Sequence, residues 1–172
     1  MSETLLLQQT LNQFNQLHPT TFHDDAWPSP CEIGGVLDDE QIAWRPVVRE
    51  GESLSALAKA LEVQFPIALH QFYCEFFAPN IQATFEGHGI ELIQPWSKDD
   101  FERLQENITG HVLMKRRLKQ PETVFIGLTE QDDVLITIEL ATGKVCLEQL
   151  GKKPHHVLAS SLEAFVEQLS IT

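Results

Sequence analysis

Residues 81–86 alternate without a break: Ile81, Ala83 and Phe85 one way, Gln82, Thr84 and Glu86 the other. A period of two marks a strand with one buried face. Gly87-His88-Gly89 then turns the chain into a second strand at 90–94, a hairpin signal. Further on, residues 123–128 are apolar throughout, as for a central strand buried on both faces. Residues 134–140 alternate again, and Ala141-Thr142-Gly143 leads into another strand at 144–150. Connections this short join antiparallel neighbours. With one more strand at 41–48, where Pro46 points to an edge or a bulge, the pattern predicts an α+β fold. Its antiparallel or mixed sheet of about six strands carries packed helices, and residues 1–172 form a single domain.

The helices are set by their stops and caps. Leu7, Leu11, Phe14 and Leu17 give residues 3–17 an apolar stripe, and Pro19 ends it. Ser53 caps a short helix at 53–62, and Pro66 suits the first turn of another at 66–78. Ile67, Leu69, Phe72, Tyr73, Phe76 and Phe77 make that helix apolar around much of its girth, so it is expected deep in the core. The clearest helix starts at Ser97, with Asp100 completing a capping box and Trp96 placed to staple Phe101. Its stripe is Phe101, Leu104, Ile108 and Val112, and Pro121 ends the segment. Gly110 inside it implies close packing or a slight bend. Ser160 and Glu163 predict a capping box for a last helix at 161–169. Between the first helix and first strand, residues 19–40 read as one long irregular loop.

Charge narrows the function. The chain of 172 residues carries a net charge of −13. Residues 1–97 contain 13 acids and 3 bases, net −10; residues 98–172 contain 12 acids and 9 bases, net −3. Phosphates bear the same sign, so binding to nucleic acid through a basic field is excluded and adsorption to anionic lipid disfavoured. The fitting partner is basic. The acids cluster: Asp24 and Asp25 after His23, Asp38-Asp39-Glu40 after Gly34-Gly35, and Glu50 and Glu52 around Gly51. A charge run between glycines and a strand is most simply a solvated face, which suits docking better than acid–base chemistry.

Catalytic and cofactor motifs are missing. There is no GxGxxG, GxxxxGK[ST], GxSxG or HExxH, and Gly87-His88-Gly89 reads as a turn and not a phosphate loop. His18, His23, Asp24 and Asp25 are metal-ligand types without a metal-binding geometry. His155-His156 read as exposed turn residues after Pro154, and His111 as a hydrogen-bonded residue at the core edge. Cys74 and Cys146 read as packed thiols; Cys31, beside prolines, is expected at the surface. Three widely spaced cysteines form neither a disulfide framework nor a zinc site. The N-terminus lacks the basic-then-apolar pattern of a signal peptide, and no apolar run approaches the roughly 20 residues of a membrane helix. These features predict a soluble cytosolic protein with no catalytic residue, metal or cofactor.

Longer stretches carry a resemblance. Pro28-Ser29-Pro30-Cys31, Trp44-Arg45-Pro46 and Phe72-Tyr73 resemble the front half of the Syd family of SecY-interacting proteins. Trp96-Ser97-Lys98-Asp99-Asp100-Phe101, Gln105–His111 and Lys115-Arg116-Arg117-Leu118-Lys119 are similar to its long helix. Gly143-Lys144-Val145-Cys146 and His156-Val157-Leu158-Ala159-Ser160 are similar to its C-terminal part. The resemblance implies a SUKH-superfamily α+β fold and a non-enzymatic binding protein whose acidic surface docks on basic cytosolic loops of SecY, the channel of the protein translocase. It implies a cytoplasmic protein, peripheral on the cytoplasmic side of the inner membrane and held there only through protein contact. It also implies a role in monitoring or regulating SecY. Cytoplasmic loops of membrane proteins are enriched in Lys and Arg, which matches the charge argument. The residues expected to form the surface are Asp24, Asp25, Asp38, Asp39, Glu40, Glu50 and Glu52. Trp27 and Trp44 are candidate apolar anchors, with core packing as the alternative for each. Two further classes stay open at this point: an immunity-like protein of the same superfamily that neutralises a basic toxin, and a hydrolase using paired acids in a pocket.

Overall fold

The alternation at 81–86 folds as expected into a hairpin, whose turn sits earlier than the sequence pattern suggests. The computed structural model describes residues 5–172. In chain order its elements are α1 (Gln8–Leu17), β1 (Thr20–Phe22), β2 (Glu32–Ile33), β3 (Gln41–Trp44), β4 (Val47–Val48), α2 (Ser55–Leu61), α3 (Ile67–Cys74), β5 (Phe76–Phe77), β6 (Ile81–Phe85), β7 (His88–Leu92), α4 (Lys98–Arg117), β8 (Thr123–Thr129), β9 (Val134–Glu139), β10 (Val145–Gln149), β11 (Pro154–Ala159) and α5 (Leu162–Glu167). The β6–β7 turn is Glu86-Gly87, with φ of 51° and 83°, while His88 and Gly89 already belong to β7. Two consecutive positive φ values give the two-residue turn whose twist matches the strands.

Six strands form one antiparallel sheet in the order β11-β10-β9-β8-β7-β6. The apolar run 123–128 is its interior strand β8, bulged between Phe125 and Gly127. At Gly127 the neighbouring strand comes so close that a Cβ would lie 2.9 Å from the Glu91 carbonyl oxygen, so only glycine fits. Helix α4 lies against β8, burying Phe101, Leu104, Ile108 and Val112. The Ser97 hydroxyl accepts from the Asp100 amide at 3.1 Å, and the Asp100 carboxylate accepts from the Trp96 amide at 2.7 Å. The predicted cap is therefore made, with the reciprocal bond one residue earlier than in the usual capping box. Apart from Ile42 and Cys146, the buried apolar side chains of the described residues form one continuous cluster from Leu7 to Val166.

Several expectations change. Of the helix expected at 3–17, positions 3 and 4 lie outside the described residues, and α1 starts at Gln8. The helix expected at 66–78 ends at Cys74; Phe76–Phe77 instead pairs as β5 with β4, which satisfies its backbone by tertiary contact. The chain breaks after Trp44, so 41–48 is two strands in two sheets, divided at Arg45-Pro46. Ser161, not Ser160, caps α5, its hydroxyl accepting from the Ala164 amide at 3.1 Å. Ser53 bonds the Ser55 amide at 2.9 Å in the turn before α2 rather than acting as the helix cap itself. Gly110 is exposed with open space around it, so neither close packing nor a neighbour explains it. His155-His156 lie in β11, a strand the sequence pattern missed because its pairing with β10 shifts register twice and breaks the period of two.

Candidate functional site

The stretch read as one loop, 19–40, contributes two strands to a second sheet of order β1-β3-β2. Its register gathers acids. Phe22 pairs with Gln41 in the antiparallel β1–β3 ladder, so the chain leaving β1 and the chain entering β3 share one end. The His23 amide donates to the Glu40 carbonyl at 2.8 Å. Asp24 and Asp25 thus stand at the same end of the sheet as Asp38, Asp39 and Glu40, and all five are exposed. The last three form a tight, non-helical turn, closed by the Gln41 amide on the Asp38 carbonyl, in which Asp39 and Glu40 take left-handed φ of 58° and 56°. Asp24 Oδ1 accepts from the Ala26 amide at 2.9 Å, folding the 24–27 turn.

His23 organises this end. Its Nε2 meets Asp25 at 2.6 Å and its Nδ1 meets Glu32. These hydrogen bonds, Glu32 first and then Asp25, raise the imidazole pKa above its ordinary 6.5 against a smaller opposing effect of burial. Glu50 and Glu52 do not join the cluster. They follow β4, past the opposite end of β3, and Glu52 lies 3.9 Å from the Arg49 guanidinium.

The two tryptophans divide. Trp44 is 2% exposed and donates its indole N–H to the His18 carbonyl at 2.8 Å, so its ring is core and offers no anchor to a partner. Trp27 is half-buried, with the Arg103 guanidinium 5.0 Å over its ring and its carbonyl accepting from the Trp96 indole. Cys31 is also buried, contrary to expectation, and burial pushes its thiol up to about 11 despite the Ser29 hydrogen bond. Cys74 is pushed to about 11 by burial as well, and neither thiol has the thiolate character of a nucleophile.

Three arginines are committed elsewhere. The Arg49 guanidinium is sandwiched between the Phe77 and Phe101 rings at 4.2 and 4.3 Å and donates to the Tyr73 carbonyl at 2.7 Å. Arg103 pairs with Asp100 at 2.6 Å, and Arg116 with Glu122 at 2.7 Å. Among the described residues no Lys or Arg forms an ion pair with Asp24, Asp25, Asp38, Asp39 or Glu40. His23, paired with Asp25, is the one charge partner shown at that end among the described residues, so the negative field there is only partly offset.

A second polar group lies inside the protein, and sequence reasoning missed it. Glu148 on β10 and Lys115 on α4 are fully buried, with Nζ 3.3 Å from Oε2. His111 stands 3.3 Å from the same oxygen, while Thr123 donates to Oε1 at 2.8 Å and Thr137 at 3.3 Å. Lys115 also donates to Gln120 at 2.7 Å and to the Lys152 carbonyl at 2.8 Å. The signal was present: Lys115 continues the stripe Leu104, Ile108, Val112, where a charged residue is out of place. The cluster ties α4 to the sheet, and its Lys115, Glu148, Thr123 and Thr137 are fully buried.

A groove of about 450 Å³ on the six-stranded sheet is lined by Phe85, Ile90, Ile136 and Leu147 with His88 and His156. None of the acids expected at the surface lines it. Among the described residues no group of three or more His, Cys, Asp and Glu is placed to hold a metal ion, and no helix is long and apolar enough to cross a membrane.

Fold and site together define an acidic α+β protein with five exposed acids gathered at one end of a small accessory sheet. The family model described as "Syd protein (SUKH-2)" matches residues 5–170, and the chain belongs to that family. It is 52% identical to Protein Syd of Pseudoalteromonas translucida over 99% of this chain and 100% of that one. It is 41% identical to Protein Syd of Pseudoalteromonas atlantica over 87% of this chain and 82% of that one, and 40% identical to that of Colwellia psychrerythraea over 95% and 86%.

Proposed function

We propose that this protein is a non-enzymatic partner of SecY that docks through the acid end of its small sheet on basic cytosolic loops of the translocase channel. The observation that carries this reading is the convergence of Asp24, Asp25, Asp38, Asp39 and Glu40 at one exposed end without a paired Lys or Arg among the described residues. A local concentration of one sign steers and selects a partner of the other sign. Membership of the Syd family supports the same partner. Glu50 and Glu52 contribute at longer range, and Trp27 stands close enough in sequence to the acids to meet a bound loop at its margin. A net charge of −13 is repelled by anionic lipid, so recruitment to the membrane goes through the channel. Once docked, the protein occupies channel loops and can restrain or report on SecY without chemistry of its own.

The test uses the purified chain against detergent-solubilised SecY-containing translocase and, separately, against protein-free anionic liposomes. Binding to the channel that loosens with added salt, with none to liposomes, is the expected result. Tight liposome binding, or no binding to the channel at low salt, overturns the reading.

A further inference from the structure

Residues directly opposed across an antiparallel ladder share one face. In the small sheet the pairs Phe22–Gln41, Thr20–Ala43 and Ile33–Ala43 put Thr20, Phe22, Ile33, Gln41 and Ala43 on one face. The alternate residues of β3, Ile42 and Trp44, are buried in the protein. The first face is turned to solvent: Phe22 is 58% exposed and Ile33 40%. The hairpin that joins β2 to β3 adds Val36 and Leu37, both more than half exposed. Leu37 and Phe22 flank the same residue, since the Leu37 amide donates to the Gln41 carbonyl at 2.6 Å and Phe22 is the cross-strand partner of Gln41. Single exposed apolar side chains are ordinary. Several gathered on one small sheet, beside a rim of one charge sign, mark an interaction site.

We propose that this outer face is a docking surface for a basic amphipathic protein segment. Phe22, Ile33 and Leu37 supply the apolar contact, and the acids at the end of the sheet hold the Lys or Arg residues of the segment. The proposal deepens the SecY reading and rests on it for the identity of the partner. Charge selects the occupant. A second copy of this chain would bring a second acid end against the first, and nucleic acid and anionic lipid carry the repelled sign. A purely polar basic segment would satisfy the acids and leave the apolar face wet. Only a segment with both properties covers the whole surface. The surface also replaces Trp44, which is buried, as the source of apolar contact.

Two synthetic peptides with the same number of lysines provide the probe: one of Leu and Lys, spaced to form an amphipathic helix, and one of Ser and Lys. Each is titrated calorimetrically into the full chain, into a Phe22→Thr/Leu37→Ser variant and into an Asp38→Asn/Asp39→Asn/Glu40→Gln variant. Circular dichroism checks each fold; the substituted positions are exposed, so the fold is expected to survive. The wild type should bind the Leu–Lys peptide about tenfold or more tightly than the Ser–Lys peptide, the scale of one apolar hot spot. The Phe22/Leu37 variant should lose that preference and keep its Ser–Lys affinity, whereas the acid variant should weaken toward both peptides. Equal affinity of the wild type for the two peptides, or an unchanged preference in the Phe22/Leu37 variant, overturns the proposal. A dimer of the free chain that the Phe22/Leu37 variant abolishes also overturns it, by giving the face to a second copy. The two readings fail separately. Channel binding that survives in the Phe22/Leu37 variant and is lost in the acid variant removes the apolar surface and leaves the SecY reading intact. A wild type that prefers the Leu–Lys peptide but ignores the channel removes SecY and leaves the surface.

Discussion

Nζ of Lys115 lies 3.3 Å from Oε2 of Glu148, and neither side chain reaches solvent. The pair bridges α4 and β10 in the middle of the protein. Two charges withdrawn from water depend on each other and on the hydroxyls and carbonyls around them. Removing one partner leaves an uncompensated buried charge, at a cost of about 3–5 kcal/mol. Lys115→Met and Glu148→Gln are each expected to lower the unfolding free energy by about that amount in urea titrations. Lys115→Met/Glu148→Leu removes both charges and should lose less than the sum of the singles. Full additivity would mean that the two side chains do not stabilise each other.

Two groups give the stability a pH dependence of opposite sign. Burial by itself would raise the Glu148 carboxyl, but hydrogen bonds from His111 and Thr123 and the Lys115 charge outweigh it and hold the pKa below the ordinary 4.5. A carboxyl lowered on folding contributes stability that is complete above its unfolded pKa and is lost as pH falls through the folded one. His23 is raised above 6.5, so its contribution is complete below about pH 6.5 and is lost as pH rises through its folded pKa. The urea midpoint should therefore fall at both ends, in acid below about 4.5 and again above about 6.5. An NMR titration of the His23 ring checks the second limb directly; a midpoint at or below 6.5 removes it.

Gly110 should be improvable. It sits in the interior of α4, exposed, with nothing within 4 Å of a would-be Cβ, and its φ is not in the left-handed region. The glycine then contributes only its backbone entropy penalty. Gly110→Ala is expected to raise stability by about 1 kcal/mol, measured by thermal or urea unfolding. A loss would mean that this face of α4 meets something in the folded protein that the isolated chain does not show.

The sheet was legible because its strands obey simple periods. Ile81, Ala83 and Phe85 alternate, 123–128 is apolar on both faces, and the Ser97 cap and Phe101–Val112 stripe locate α4. What escaped was decided by distant contact. Phe76 and Phe77 read as helix until β4 pairs with them, and β11 hides its period behind two register shifts. At the site, the clusters Asp24-Asp25 and Asp38-Asp39-Glu40 were visible as residues, but their convergence was not. Only the Phe22–Gln41 register brings them to one end, while Glu50 and Glu52 follow β4, a strand of a different sheet. Trp44 shows the limit of composition: an aromatic beside an acidic stretch suits an anchor or a core equally until its burial is known.

The acid end can be tested against a matched change elsewhere. Asp39 and Glu40 hold left-handed backbone, where Asn is among the better tolerated residues. Neutralisation by Asp38→Asn, Asp39→Asn and Glu40→Gln therefore disturbs the turn less than reversal to lysine. It removes three negative charges without adding any. The control removes three from exposed helical positions, Glu102→Gln, Glu106→Gln and Glu167→Gln, so net charge falls equally in both. Glu122 and Glu130 are unsuitable controls, since the first pairs with Arg116 and the second accepts from the Gly89 amide. Binding to solubilised SecY, followed against ionic strength with circular dichroism confirming the fold, should weaken about tenfold in the first variant at low salt. The control should change it much less. The gap between them should narrow as salt shortens the screening length from about 10 Å at 0.1 M to about 3 Å at 1 M. Equal losses would show that total charge and not the end of the small sheet drives association, and an unaffected first variant would take Asp38, Asp39 and Glu40 out of the binding surface.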